Sequence, residues 1–291
     1  MADSLSNWLA LREPYDSRAR SSALTDALAV ALPRDRELRV LDLGTGTGSN
    51  LRYLVSRLPH PQQRWLLVDQ DPDLLRELSR SMLKWAAAHG YDAVDRKDGV
   101  SIIRTQFACE IETRCLELGS LGANEIFVDR DLVTASALLD LVSERWLHAL
   151  ALTCRASGAA VLFALTYNGD SRCSPAEPED DYVRGLFNQH QETNDKGFGP
   201  AAGPDAVECA VRAFTDVGYD VRRESSNWVL TPDARELQRQ LITGWAEAAT
   251  EIAPAQSSMI ANWLARRLAH VDANHSHVIV GHEDLAAFLQ A

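Results

Sequence analysis

Three glycines lie within five residues of one another, in the stretch VLDLGTGTGSN that runs from Val40 to Asn50. The apolar run from Leu38 to Leu43 predicts a buried strand that ends at the first glycine. Apolar residues at helical spacing follow the glycines and predict a helix, namely Leu51, Leu54, Val55 and Leu58. Glycines at a strand-to-helix turn allow the backbone to approach a ligand closely, beside the positive end of the helix dipole. The stretch therefore predicts a loop that binds a small ligand.

Three kinds of ligand are compatible with a glycine loop, and the neighbouring residues separate them. A P-loop for nucleotide phosphates needs Gly-Lys-Ser/Thr, and this loop has no lysine. A dinucleotide fingerprint needs its third glycine at the position of Ser49. The carboxylate of Asp42, two residues before Gly44, would also repel a pyrophosphate. The same carboxylate suits a ligand that carries an ammonium and a sulfonium, which is S-adenosylmethionine (SAM).

A second acidic residue closes the next predicted strand. Asp69 follows the apolar run Trp65 to Val68 and lies 21 residues beyond Gly48. In dinucleotide sites, an acidic residue at this place accepts hydrogen bonds from the ribose hydroxyls. Asp69 is therefore predicted to bind the ribose of SAM, just before the helix that Asp71-Pro72 begins.

Together, the stretch from Val40 to Asn50, the pair Val68-Asp69 and the strand Asp131 to Ser136 resemble the class I SAM-dependent methyltransferases. The resemblance covers the core from the first predicted strand to the fifth. It implies that the glycine loop surrounds the methionine part of SAM and that Glu117-Leu118 lies beside the adenine. The cofactor-binding residues expected from it are Asp42, Gly44, Thr45, Gly46, Gly48, Asp69, Gln70, Glu117, Leu118 and Ser136.

Short apolar runs alternate with amphipathic ones along most of the chain, and the run Ala159 to Leu165 is typical of a strand covered on both faces. The alternation predicts an α/β fold with a doubly wound, mostly parallel, seven-stranded Rossmann-like sheet and helices on both faces. A single domain is expected over residues 1–291. Its parts would be an N-terminal helical cap (1–35), the SAM-binding core (36–167), an inserted substrate or lid loop (168–203) and a C-terminal part with strands and extra helices (204–291).

The acceptor is expected outside the carboxyl ends of the strands, where open α/β sheets bind their ligands. Methyl transfer is an in-line displacement, and a base is needed only if the attacking atom carries a proton that it cannot lose alone. The candidate catalytic residues are Asp140, Tyr167 and His190, with Asp195 as a further base or anchor. An N-terminal segment often closes over the cofactor in this class, so one of its charged residues could reach a carboxylate; they include Arg12, Asp16, Arg18 and Arg20.

The amino-acid composition limits which binding partners and which cellular location we expect. Lys and Arg number 29 and Asp and Glu 41, so the net charge is −12, which disfavours nucleic acid and anionic membrane surfaces. The five cysteines form no CxxC pair, which argues against a disulfide framework and a cysteine zinc site. His275, His277 and His282 have no set of acidic or cysteine partners that would complete a metal site, so no metal is predicted. A cytoplasmic location is expected because no signal peptide precedes the core.

The sequence therefore predicts SAM-dependent methyl transfer to a small-molecule acceptor. Two other functions stay open: a SAM-binding sensor or subunit without catalysis, and an NAD(P)-dependent Rossmann oxidoreductase, which Asp42 and Ser49 disfavour. No Asn-Pro-Pro-Tyr motif follows the fourth predicted strand, where Ala135 to Leu138 lie, and a nucleobase or glutamine acceptor is disfavoured on that ground. Oxygen, nitrogen, sulfur and carbon acceptors all stay open.

Overall fold

The computed structural model describes residues 2–119, 121, 124–193 and 195–289. Its α-helices are α1 (Ala2–Ala19), α2 (Ser22–Ala31), α3 (Ser49–Leu54), α4 (Pro72–Ala88), α5 (Glu144–Ser157), α6 (Asp180–Thr193), α7 (Ala206–Asp216), α8 (Arg235–Ile252) and α9 (Ser257–Asp272). Its strands are β1 (Leu38–Leu43), β2 (Gln62–Asp69), β3 (Asp92–Arg96), β4 (Gly99–Arg104), β5 (Phe107–Cys115), β6 (Leu132–Ser136), β7 (Ala160–Ser174), β8 (Tyr219–Ser225), β9 (Trp228–Leu230) and β10 (His277–Leu289).

The strands form one mixed sheet in the order β3-β4-β5-β2-β1-β6-β7-β10-β8, and β9 pairs with β10. The five central strands, β5 to β7 in this order, are parallel, whereas β10 is antiparallel to both β7 and β8. The predicted doubly wound, mostly parallel α/β sheet is confirmed, with ten strands in the described residues where seven were expected. The additional strands are the antiparallel β3–β4 hairpin at one edge and the three-residue β9 at the other.

Apolar side chains bury both faces of the sheet, as the near-continuous apolar strands require. On one face, Phe163 of β7 packs with Phe214 of α7, beneath α5. On the other, Trp65 of β2 packs with Leu78 and Met82 of α4. The strand order reverses between β1 and β6, and this switch point opens a crevice at the carboxyl ends of these strands.

The segment 168–203, predicted as an inserted loop with one short helical candidate at 181–190, contains more regular structure than that. Strand β7 continues to Ser174, which pairs with His277 at the start of β10, and α6 covers Asp180–Thr193. The buried guanidinium of Arg267 on α9 fastens the beginning of α6, because its Nε donates to Asp180 Oδ1 at 2.9 Å. The polar residues that suggested a loop therefore include the partners of a helix-to-helix ion pair. No helix in the described ranges is both long and apolar enough to cross a bilayer.

Helix α1 lies over the carboxyl ends of the strands and is held there by a bidentate ion pair. Arg52 of α3 donates from Nε to Glu13 Oε1 at 2.7 Å and from Nη2 to Glu13 Oε2 at 2.6 Å. On the other side, the indole Nε1 of Trp228 donates to Asp16 Oδ1 at 3.0 Å. Residues 2–31 thus form α1 and α2, and α1 is anchored to both α3 and β9.

The Glu13→Gln substitution is expected to lower the free energy of unfolding by about 1–2 kcal/mol, because it leaves the nearly buried Arg52 without its charged partner. The midpoint of urea unfolding measures this change. Glu77→Gln is the matched control, since Glu77 is 29% exposed where Glu13 is 26%, but it pairs with the exposed Arg80. The control is expected to lose less than about 0.5 kcal/mol. Equal losses in both variants would show that the α1 pair contributes no more than a surface pair.

Candidate functional site

A cavity of about 250 Å³ lies at the switch point, at the carboxyl ends of β1, β2 and β6. We call it the first cavity. The glycine loop that follows β1 forms its floor, the residues after β2 and β6 form two sides, and α1 forms a wall opposite the loop. Lys196 and Phe198, from the segment after α6, complete it. Groups that are far apart in the sequence thus converge on one enclosed space.

The glycines of the loop have different structural tasks. Gly44 and Gly46 line the first cavity with φ of 62° and 55°, a left-handed conformation that favours glycine. A Cβ at Gly46 would lie 3.1 Å from Leu9 Cδ1 of α1, so the helix approaches the loop backbone closely. Gly48 instead caps α3 and faces Leu78 Cγ, 3.0 Å from the position of a Cβ. The expected binding role therefore has geometric support at Gly44 and Gly46, whereas Gly48 serves helix packing.

The Gly46→Ala variant is expected to bind SAM at least about tenfold more weakly, because the new methyl group meets Leu9 in addition to the strained φ. Isothermal titration calorimetry measures the change. Gly90→Ala is the matched control, since Gly90 also has a positive φ, 71°, but nothing lies within 4 Å of its Cβ position. The control should lose stability alone and keep its affinity. An unchanged affinity of the Gly46→Ala variant would contradict the close approach of α1 and the loop.

Asp42 lies beneath the loop and does not line the first cavity. Its carboxylate accepts hydrogen bonds from Thr45 Oγ1 at 2.7 Å and from Asn50 Nδ2 at 2.6 Å. Arg20 Nη1 in turn donates to Asn50 Oδ1 at 2.6 Å. Burial raises the pKa of Asp42 to about 6, although these hydrogen bonds and the charge of Arg20 oppose the rise. Thr45 and Asn50 do line the cavity, so Asp42 positions the wall and contributes its charge from below.

Asp69 lies on the cavity wall at the end of β2, where the sequence placed it. Its Oδ2 accepts a hydrogen bond from the backbone N–H of Gly46 at 2.8 Å, and its Oδ1 accepts one from the N–H of Asp71 at 3.0 Å. Each carboxylate oxygen has a second lone pair, which a ligand hydroxyl can use. Gln70 follows it on the same wall. The carboxylate of Asp69 thus joins the glycine loop to the end of β2 by hydrogen bonds, and it also lines the first cavity.

The opposite side of the cavity is apolar. Leu118 lines it and is nearly buried, and its carbonyl oxygen accepts a hydrogen bond from Trp146 Nε1 at 2.6 Å. The neighbouring Glu117 is exposed and is not part of the lining. Ser136, the last residue of β6, and Leu138 beyond it line the cavity as well. A flat apolar group fits between such side chains, and the predicted pair contributes its leucine to this wall.

Helix α1 supplies the charged pair of the first cavity. Arg12 Nε donates to Asp16 Oδ2 at 3.0 Å, and both side chains line the cavity with Leu5 and Leu9. Burial raises the pKa of Asp16, and the charge of Arg12 opposes the rise. The sequence pointed to this segment without separating Asp16 from its neighbours. Spacing could have done so, since positions 5, 9, 12 and 16 share one face of a helix.

The candidate catalytic residues are spread over different environments. Asp140 and Tyr167 are buried and are not part of the lining of either cavity described here. Burial raises the pKa of both groups, and the hydroxyl of Tyr167 donates to Asn188 Oδ1 at 2.8 Å. His190 Nε2 lies 2.9 Å from Glu251 Oε2, on the wall of a different cavity. Asp195 is exposed and its Oδ1 accepts from two backbone N–H groups of its own loop.

That different cavity, which we call the second cavity, has a volume of about 720 Å³ and is more open. It lies between α1, α6 and α8 and shares Leu5 and Lys196 with the first cavity. Three aromatic side chains, Trp8, Phe187 and Trp245, line it, and polar groups reach it from α6 and α8. The two shared residues show that the cavities adjoin.

The sequence matches no protein-family model, and a search of curated proteins finds no match either. Solved structures to which the chain is similar include a SAM-dependent methyltransferase from Thiobacillus denitrificans in complex with S-adenosyl-L-homocysteine (13% identity, 94% of this chain and 93% of that chain, TM-score 0.43). The cyclopropane synthase MmaA2 from Mycobacterium tuberculosis is another (10% identity, 91% and 82%, TM-score 0.45). So is the YcgJ protein from Bacillus subtilis (14% identity, 92% and 98%, TM-score 0.45).

Proposed function

We propose that this protein is a SAM-dependent methyltransferase that acts on a small molecule. The observation that carries the proposal is the convergence of the glycine loop and Asp69 on one cavity at the switch point of the sheet. Open α/β sheets bind their ligands at this place. Positive φ at Gly44 and Gly46 opens the backbone toward the cavity, and the glycine loop itself contains no lysine to hold phosphates.

The chemistry of the lining matches the parts of SAM. The carboxylate of Asp69 suits the two ribose hydroxyls, and Leu118 and Leu138 suit the face of the adenine. Arg12 and Asp16 form a complementary pair for the carboxylate and the ammonium of the methionine part. Beneath the loop, the charge of Asp42 favours a cationic ligand over a pyrophosphate. These donors and acceptors fit the proposed cofactor better than they fit a dinucleotide.

Bound SAM would supply a methyl group that the positive charge on sulfur activates for displacement. The protein's own residues orient the two reactants and enclose them. Leu5 and Leu9 of α1 exclude water from the first cavity, and the second cavity holds the acceptor beside it. Of the three candidate catalytic residues, His190 has the best position, because it lies on the wall of the second cavity. We propose it as the base for an acceptor that carries a proton, with the carboxylate of Glu251 orienting its ring.

Calorimetric titration with SAM and with S-adenosylhomocysteine (SAH) tests the cofactor, and NAD serves as the control ligand. Micromolar binding of the two adenosyl ligands, with no binding of NAD, is the expected result. Binding of NAD alone would indicate an oxidoreductase instead. Incubation with methyl-labelled SAM and a metabolite extract then distinguishes an enzyme from a SAM-binding sensor, which would bind the cofactor without transferring the label.

A further inference from the structure

The second cavity combines aromatic walls with a cation at its junction with the first cavity. Trp8 of α1, Phe187 of α6 and Trp245 of α8 line it, and the rings of Phe187 and Trp245 are 6.1 Å apart between centroids. Lys196 lies on the walls of both cavities. Aromatic walls bury a flat, apolar molecule, and a shared cation marks where the two ligands would meet.

Lys196 is not neutralised by any carboxylate within ion-pair distance in the described part of the chain. The other charged groups of the second cavity already have partners. His190 contacts Glu251, and Asp71 caps α4 by accepting from the backbone N–H groups of Asp73 and Leu74. Lys196 is also one of only three lysines in a chain that uses arginine for nearly all its basic residues. Its ammonium is therefore the positive charge available to a ligand of this cavity.

Asp140 does not remove this charge. Asp140 is nearly buried and makes no ion pair with Lys196 in the described residues, although burial raises the pKa of Asp140 and the charge of Lys196 opposes the rise. In the first cavity, the cation Arg12 is placed to serve the carboxylate of the methionine part. Lys196 is exposed, so its ammonium is open to a second anion.

On the basis of the proposed function, we propose that the second cavity binds an aromatic carboxylic acid as the methyl acceptor, with its ring between Trp8, Phe187 and Trp245 and its carboxylate on Lys196. The acid is recognised by two independent features of the cavity. Its apolar body replaces water on the aromatic walls. Its carboxylate is paired with the ammonium of Lys196, at the junction of the two cavities, where the carboxylate also faces the methyl donor.

The charges of the reaction favour this class of acceptor. A lone pair of the carboxylate oxygen forms the new C–O bond while the S–C bond of the methyl donor breaks, and the electron pair of that bond stays on sulfur. An anion and a cation become a neutral ester and a neutral thioether, so a cavity with apolar walls assists the step. No proton leaves the acceptor, and His190 need not act as a base. An amine acceptor would instead end as a cation beside Lys196, which repels it.

Titration with 1-naphthoate tests the proposal, and 1-naphthylmethylamine, of similar shape and opposite charge, is the control ligand. Both are titrated into the free protein and into the protein saturated with SAH. We expect naphthoate to bind and the amine not to. Lys196→Met should weaken naphthoate binding by about tenfold or more, whereas Lys196→Arg keeps the charge and should stay within about threefold. Lys97→Met, at an exposed position in the β3–β4 turn, removes a lysine away from both cavities and should change nothing.

The outcomes separate this proposal from the proposed function. Naphthoate binding that depends on Lys196, in a protein that does not bind SAH, would support the anion site and overturn the methyltransferase. SAH binding without naphthoate binding, tighter binding of the amine, or equal affinities in wild type and Lys196→Met would overturn the acceptor and leave the cofactor site standing. A Lys196→Met variant that loses SAH affinity instead would show that Lys196 serves the cofactor. Methyl naphthoate, detected by mass spectrometry after incubation with SAM, would support the complete proposal.

Discussion

The Asp69→Ala variant is expected to bind SAH at least about 100-fold more weakly than the wild-type protein, a loss of about 2.7 kcal/mol. Two losses contribute to this lower affinity. The carboxylate is lost as the proposed acceptor for the ribose hydroxyls, and the N–H of Gly46 loses its acceptor at 2.8 Å. The glycine loop is then held to β2 by the backbone hydrogen bond from Thr45 N–H to the carbonyl of Val68 without the help of Asp69. Calorimetric titration of both proteins with SAH measures the change.

Two further variants identify the cause of that loss. Asp73→Ala removes an exposed aspartate from the first turn of α4, four residues away, and should bind SAH as the wild type does. Asp69→Asn keeps an acceptor oxygen but loses the charge, and an intermediate affinity is expected. If Asp69→Ala bound SAH normally, the cavity that adjoins this residue would not be the cofactor site.

The Asp42→Asn variant is expected to be more stable than the wild type at pH 7, by up to about 3 kcal/mol. The pKa of Asp42 is about 6 in the folded protein, against 3.8 for an ordinary aspartate. The folded state therefore holds the proton more tightly than the unfolded state does. The carboxylate must be ionised at pH 7, and its burial then opposes folding. Asparagine has the same shape and can accept the hydrogen bond from Asn50 without the charge.

The pH dependence checks the sign of this effect. Between pH 4 and 6, Asp42 binds more protons in the folded state, so its contribution to the free energy of unfolding falls as the pH rises through this window. The difference in stability between Asp42→Asn and the wild type should therefore grow from pH 4 to pH 6 and stay constant above it. Urea unfolding at several pH values measures that difference. Asp26→Asn, at an exposed position on α2, is the control and should show no such growth. A constant difference across the window would contradict the raised pKa.

The sequence predicted the parts of the fold that depend on local patterns. The limits of β1, the N-cap at Asp71 and the start of α4 agree with the structure because a buried apolar run and a capping residue each act over a few positions. The helix after the glycine loop ends at Leu54, earlier than its apolar spacing to Leu58 suggested. Val55 and Leu58 keep their buried side chains in a turn, and periodicity alone does not distinguish a turn from a further helical turn here.

The residues of the first cavity that belong to one sequence motif could be predicted from the sequence. Those that distant segments of the chain contribute could not. Gly44, Gly46 and Asp69 come from adjacent strand ends, so their convergence follows from the order of strands. The position of Asp42 beneath the loop depends on the side chains of Thr45 and Asn50, which each donate to one of its carboxylate oxygens. Lys196 was not singled out, because it reaches the cavities through the path of a segment that the sequence described only as a substrate or lid loop. Long-range placement of this kind depends on tertiary packing and leaves no local signal.

The contact of Leu9 with the glycine loop has a consequence for the rate at which cofactor is exchanged. One wall of the first cavity is a helix, and a rigid-body shift of α1 changes the width of the entrance and the position of Arg12 together. The observed association rate of SAH should then level off at high ligand concentration, because opening of the helix becomes the slower step. The ion pair between Glu13 and Arg52 lies outside the cavity and is expected to slow that opening. The timing of ligand exchange is then expected to depend on residues that do not line the cavity.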